Sequence, residues 1–162
     1  MKDEVYKTYR FLVLGDFDNP RLKAFYTVLR LIECFFMTTQ IGHPDEYWQA
    51  IEPAYNMVYG NVDLPWEWHD NYRLRSIIYP AYLSMPLYLL KLTGLDTATA
   101  VRACPQMGHA VLVIIADRFL WAIGKETFGL NAAKLAFIFW QSSGWFNHLF
   151  TRCLTNSVET VL

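Results

Sequence analysis

The chain has 162 residues, a length that suits one domain, and is 54% hydrophobic and 17% aromatic with a net charge of −1. Only 18% of residues are charged, against about 25% in an average soluble domain. Near-neutral charge without a basic block gives no support to nucleic-acid binding, and a mean hydropathy of +0.14 fits a membrane protein only if the apolar residues are segregated.

They are. Residues 1–23 are polar and mixed in sign, five bases against four acids, without the apolar core and small-residue cleavage site of a signal peptide. Ala24–Gly42 is then apolar for 19 residues, interrupted by Arg30 and Glu33. As a helix it is roughly 28 Å long, about the hydrocarbon thickness of a bilayer. Arg30 and Glu33 lie three apart on one face, and charges inside a span are costly and face inward, so they are expected to form a buried pair that fixes packing, with a direct substrate role as the alternative. Three more apolar segments follow: Ser76–Thr93 with Pro80 and Pro86, Ala103–Ile123 with His109, Asp117 and Arg118, and Leu130–Phe150 with Lys134. Turns at Gly94, Gly124 and Gly129 are expected between them. Two prolines make the second segment kinked or incompletely spanning. No alternating strand pattern occurs, so the fold class is all-α and the architecture a multispanning membrane protein.

Between the first two apolar segments, residues 43–75 carry six acids and two bases, a sum of −4. Arg21 and Lys23 mark the other edge of the first segment. The positive-inside tendency therefore places residues 1–23 in the cytosol and the 43–75 loop on the far side. The loop opens with His43-Pro44-Asp45-Glu46-Tyr47-Trp48-Gln49, followed by Glu52. Proline favours the first position of a helix. An unbroken helix from there puts Asp45, Gln49 and Glu52 on one face, with Tyr47, Ile51, Ala54 and Val58 as an apolar stripe. Acids in a first turn are also favoured by the helix dipole alone. Further along, Trp66-Glu67-Trp68 offers either an interfacial aromatic belt or platforms on which sugar rings stack beside carboxylates. A loop of this length is commonly functional, and its aromatic content argues against disorder.

Other chemistries lack their motifs. Cys34, Cys104 and Cys153 are scattered with no CxxC pair, there is no HExxH, and neither a glycine-rich phosphate loop nor a GxSxG elbow occurs. A metal held by Asp45, Glu46 and Glu52 is conceivable, but the spacing does not demand one, and no cofactor or metal is expected. A transporter would also carry charges in its helices, but it predicts an internal repeat, and the sequence has none.

His43–Gln49 with Glu52, Trp66-Glu67-Trp68, Leu74-Arg75-Ser76, Tyr79-Pro80 and the tail Thr151-Arg152-Cys153-Leu154-Thr155-Asn156-Ser157-Val158-Glu159-Thr160 together resemble glycosyltransferase family 22. The resemblance runs from about Arg30 to the last residue. It departs at Cys153, where the family usually has Thr. Members of this family are multispanning endoplasmic-reticulum enzymes of GT-C type that use dolichyl-phosphate mannose. The resemblance implies an α-1,2-mannosyltransferase that adds the third mannose to a mannosylated glycosylphosphatidylinositol (GPI) lipid intermediate. The alternatives are an N-glycan-precursor mannosyltransferase of the same family and an inactive truncated fragment or scaffold. It further implies that residues 24–162 are the membrane-embedded N-terminal part of such an enzyme, with 43–75 as its lumenal catalytic loop.

On this resemblance the donor is β-linked and the product α, so one carboxylate must take the acceptor proton in a single displacement. Asp45 is expected as that base, with Glu46 or Glu52 positioning it or the acceptor. Gln49, Trp66, Trp68, Arg152, Asn156 and Glu159 are expected to bind substrate. Arg73 or Arg75 is expected on the donor phosphate, where a guanidinium binds bidentately; the plainer reading is a membrane-edge anchor. If all four apolar segments span, the tail motif falls on the side opposite Asp45. If 76–93 is re-entrant or interfacial, the two motifs share one side, which Lys125 in the 124–129 turn mildly favours.

Overall fold

The structure, a computed structural model, describes residues 17–37, 44–60, 62–69, 71–72 and 74–159. Residues 1–16, most of the expected N-terminal segment, lie outside that range, as do Gly42, His43 and Arg73. Every regular element among the described residues is a helix, with no strand among them. In chain order the elements are α1 (Pro20–Met37), a first turn α2 (Pro44–Glu46), a π-helical turn (Tyr47–Ile51), α3 (Glu52–Tyr59), a 3-10 turn (Trp66–Trp68), α4 (Ile78–Thr93), α5 (Ala98–Phe128), α6 (Leu130–Ser142), α7 (Gly144–Phe150) and α8 (Thr155–Glu159).

The spine is α5, 31 residues long and so about 46 Å, half again the hydrocarbon thickness of a bilayer. It is the one described helix long and apolar enough to cross a membrane, and only 28% of its most apolar stretch is buried. Thr97 caps its start, the side chain accepting from Ala100 N–H. Expectation and structure part at its ends. The helix begins five residues before Ala103 and runs through Gly124, which lies inside the helix and not in a turn. A Cβ at Gly124 would stand 3.3 Å from Ala133, so the glycine lets α6 approach α5. The turn falls at Gly129 alone, with φ +85°, a backbone region that glycine enters at least cost.

The neighbours of α5 divide it into two parts. Against its first third lies α4, running antiparallel. Tyr79 and His109 are bonded at 2.9 Å, Tyr82 Oη donates to Gly108 O at 2.8 Å, and Gly94 in the left-handed region closes α4 before the turn into α5. Ala50, Ala54, Leu83, Leu87 and Cys153 fill the core there. Each fully buried leucine is worth about 1.5–3 kcal/mol. Cys153, the departure from the family pattern, is fully buried in this cluster.

Along the rest of α5 lie α1 on one flank and α6 on the other. The register of α1 is fixed by Lys125 with Asp18, Arg118 with Thr27 (2.8 Å), and Arg30 with Asp117. α1 begins at Pro20, four residues before the expected Ala24. The Leu130–Phe150 segment is two helices, broken at Ser143, whose extended backbone (ψ 96°) ends α6 and starts α7. Phe17, Leu22, Trp121, Ala133 and Phe137 fill this end. Val111, Ile115, Phe119 and Ile123, one apolar stripe at four-residue spacing, remain exposed.

Arg30 forms the expected pair with Glu33 at 2.8 Å, but its main partner is one that spacing cannot reveal. The guanidinium, fully buried, binds both oxygens of Asp117 (2.8 and 3.2 Å) and also donates to Asn147 Oδ1. Asp117 accepts further from Trp140 Nε1 and Gln141 Nε2. One buried network thereby joins α1, α5, α6 and α7, with charges paired as burial requires.

Candidate active site

The site is built on a distorted helix start. Pro53 has no N–H to give to Gln49 O. The preceding N–H, that of Glu52, reaches back five residues to Tyr47 O, which makes the turn π-helical and adds a residue to it. This removes the expected unbroken helix and changes which residues share a face. Glu46, Ala50, Pro53 and Ala54 are the buried positions, whereas Tyr47, Ile51 and Val58 of the expected stripe are half-buried.

The adjacent acids consequently face different ways. Glu46, 1% exposed, points into the protein. One carboxylate oxygen accepts from Arg152 Nη1 at 3.0 Å. The other takes the Cys153 backbone N–H at 3.1 Å and the Gln106 amide. Asp45, half-buried, lines a cleft of about 420 Å³ with Trp48, Gln49, Asp63, Trp66 and Glu67. That volume lies in the range of small-molecule sites.

The cleft's far wall is Asp63, Pro65, Trp66 and Glu67, and backbone bonds from Trp68 to Pro65, His69 to Trp66, Tyr72 to His69 and Leu74 to Glu67 fold the described residues around it. Trp66 packs edge-on against Tyr72 (5.4 Å). Trp68 does not line the cleft. Its Nε1 donates to Trp48 O at 3.1 Å and so clasps the wall to the helix. Arg75 binds Glu67 through Nε (2.8 Å) and Nη2 (3.3 Å). The Glu67 bond raises the guanidinium above its ordinary range, and nearby Asp45 adds to the shift. Arg75 also lines a neighbouring groove of about 350 Å³ with Gln49, Leu74, Ile78, Thr155 and Val158. Gln49 and this groove link the acidic segment to the tail motif, Thr155 Oγ1 lying 3.4 Å from Gln49 Oε1.

Of the residues singled out in the sequence, Asp45, Gln49 and Trp66 share the cleft, and Arg75 stands at its edge. Glu52 does not join them, because the π turn carries it into a separate cavity with Tyr55, Tyr59 and Arg102. Glu46 and Arg152 are spent on each other, enclosed in the protein. Asn156 is exposed on α8. Arg73 and the Glu159 side chain lie outside the described residues. Asp63 and Glu67 were not foreseen as cleft residues; their place follows from the backbone bonds that fold the described residues after Val62. Among the described residues no group of three His, Cys, Asp or Glu side chains could hold a metal. The Glu46–Arg152 pair brings the tail motif beside the acidic segment.

Among the described residues, helices, one of them of membrane length, frame a cleft of carboxylates and tryptophans with Arg75 beside it. The model of the Alg9-like mannosyltransferase family matches residues 22–162, and the chain belongs to that family. It is similar to GPI alpha-1,2-mannosyltransferase 3 of Homo sapiens, 36% identical over 146 residues, which is 90% of this chain and 26% of that protein. It is also similar to GPI mannosyltransferase 3 of Trypanosoma brucei brucei, 43% identical over 107 residues (66% of this chain, 19% of that protein). A third relative is GPI mannosyltransferase 3 of Yarrowia lipolytica, 36% identical over 143 residues (85% and 28%). The chain spans about a quarter of the length of the curated relatives it matches. No solved structure matches it.

Proposed function

We propose that the chain forms the catalytic N-terminal part of an inverting α-1,2-mannosyltransferase that moves mannose from dolichyl-phosphate mannose to a mannosylated GPI lipid intermediate. The observation that carries this reading is the cleft in which Asp45 faces Trp48, Trp66 and Gln49 with Arg75 at its edge. Asp45 takes the proton of the acceptor hydroxyl as that oxygen attacks the anomeric carbon. The bond from that carbon to the dolichyl phosphate oxygen breaks as the new bond forms, and the phosphate leaves as an anion. The step needs one positioned base; no cofactor takes part. Trp48 and Trp66 stack the sugar, and Gln49 hydrogen-bonds it. Arg75 meets the donor phosphate, its groove continuing over Leu74, Ile78 and Val158 as an apolar bed for the lipid. Glu46 and Arg152 position Asp45 from behind without touching substrate.

In a bilayer of the endoplasmic reticulum, α1, the later part of α5 and the α6–α7 segment cross the membrane. α4, which pairs only with the first third of α5, lies re-entrant or interfacial on the lumenal side together with residues 44–76 and 151–159. The exposed stripe from Val111 to Ile123 supports lipid contact below that level. The test uses the full-length enzyme in cells lacking the third GPI mannosyltransferase: Asp45→Asn is expected to abolish rescue of GPI-anchored proteins at the surface. Rescue at the wild-type level removes Asp45 from the mechanism.

A further inference from the structure

We propose that the cavity between α3 and the α4–α5 turn is a second glycan-binding site, which holds sugar units of the acceptor beyond the one that reacts; the identity of the glycan rests on the function proposed above. The cavity has a volume of about 610 Å³ and is lined by Glu52, Tyr55, Tyr59, Asp96 and Arg102, with Val101 among its apolar residues. Three features fit a neutral polyhydroxylated ligand. Tyr55 and Tyr59 are stacked, with centroids 4.6 Å apart and an interplanar angle of 22°. Lys91 lies over the Tyr59 ring at 5.2 Å, so the pair forms a braced flat wall of the kind on which the CH face of a hexose packs.

Second, the Tyr59 hydroxyl oxygen is buried without a hydrogen-bond partner among the described residues, a state that calls for a ligand or water. Third, Glu52, Asp96 and Arg102 make no side-chain hydrogen bond or ion pair among the described residues. Glu46, Glu67 and Asp117, by contrast, are each committed to an arginine. Two carboxylates and one guanidinium give a net charge of −1, which disfavours a phosphate and suits hydroxyls that both donate and accept. From Asp45 to Glu52 the chain advances seven residues, about 10 Å along a helix axis, a length that a short oligosaccharide spans.

The test is saturation-transfer NMR of linear α-mannotriose with the 162-residue chain in detergent micelles, run beside transfer assays of the full-length enzyme. Mannotriose is expected to receive saturation from the wild type and from Asp45→Asn, and to bind about tenfold more weakly to Tyr55→Ala and Arg102→Gln. Arg102 is exposed, so its replacement leaves the fold intact even where Tyr55→Ala perturbs it. In the full-length enzyme, Arg102→Gln is expected to raise the acceptor KM by a similar factor with kcat little changed. Unaltered binding and KM in Arg102→Gln, or no binding to the wild type, overturns the second site and leaves the role of Asp45 standing. Mannotriose bound through Tyr55 and Arg102, with transfer indifferent to Asp45→Asn, sinks the catalytic reading and leaves the site.

Discussion

Glu46 and Arg152, 106 positions apart, meet at 3.0 Å with both side chains almost wholly buried. They tie the acidic segment to the tail motif. Removing one partner strands a charge in the protein, at a cost of about 3–5 kcal/mol. Arg152→Met and Glu46→Gln are each expected to lower the melting temperature in detergent clearly. The double variant Glu46→Met/Arg152→Met is expected to recover most of the loss, because no orphan charge remains. A double variant no more stable than the singles would show that the pair does more than balance charge.

Asp45 is one residue away and faces the cleft. Asp45→Asn is expected to cut mannosyl transfer by about 10²–10⁴-fold, the range of a lost general base, with the melting temperature unchanged. Asp63→Asn, on the opposite wall, is expected to cost less than Asp45→Asn in the same assay. Equal losses would mean that the cleft needs its total charge rather than one base.

Arg75 is held by Glu67 in a two-pronged contact. Arg75→Lys keeps the charge but not the fork, and is expected to raise the KM for dolichyl-phosphate mannose more than it lowers kcat. Glu67→Gln is expected to weaken donor binding less, through looser placement of Arg75. Initial-rate kinetics at varied donor concentration separate the two parameters.

Asp18 is exposed and bonded by Lys125 at the far end of α5, and that hydrogen bond lowers its carboxyl pKa below the ordinary 3.8. A depressed carboxylate stabilises the fold at pH values above its unfolded pKa, and the contribution fades as pH falls through the lower folded value. Lys125→Ala is expected to flatten the decline in melting temperature between pH 5 and pH 3, on the order of that window. An unchanged acid limb rules the pair out as a contributor.

Tagging the chain with a glycosylation acceptor after Glu159 tests the arrangement in the membrane. The proposed lumenal placement of 44–76 and 151–159 requires that the tag be modified. An unmodified tag would place both segments in the cytosol, since Glu46–Arg152 joins them.

The helical class, the Arg30–Glu33 pair and the cleft membership of Asp45, Gln49 and Trp66 were legible because they depend on residue type and short-range spacing. Long-range partners were not. No local pattern tells Arg30 that Asp117 lies opposite, or Glu46 that Arg152 does, since both follow from how helices cross. Gly124 read as a turn because a glycine has the same letter whether it bends the chain or admits a neighbour. Glu52 was misplaced because the unbroken spacing rule ignores Pro53, which was visible three residues past Ala50.

The π turn at Tyr47–Ile51 sets which face the acid pair presents. It acts as a phase-setter between the acid pair and α3, which is docked on α4. Restoring ordinary winding there with every residue kept, as Pro53→Ala permits, swings the Asp45–Glu46 step by about 100° about the axis. Asp45, the base proposed above, then leaves the cleft while every side chain named in it survives, so the proposed activity depends on the winding of this turn as well as on its residues.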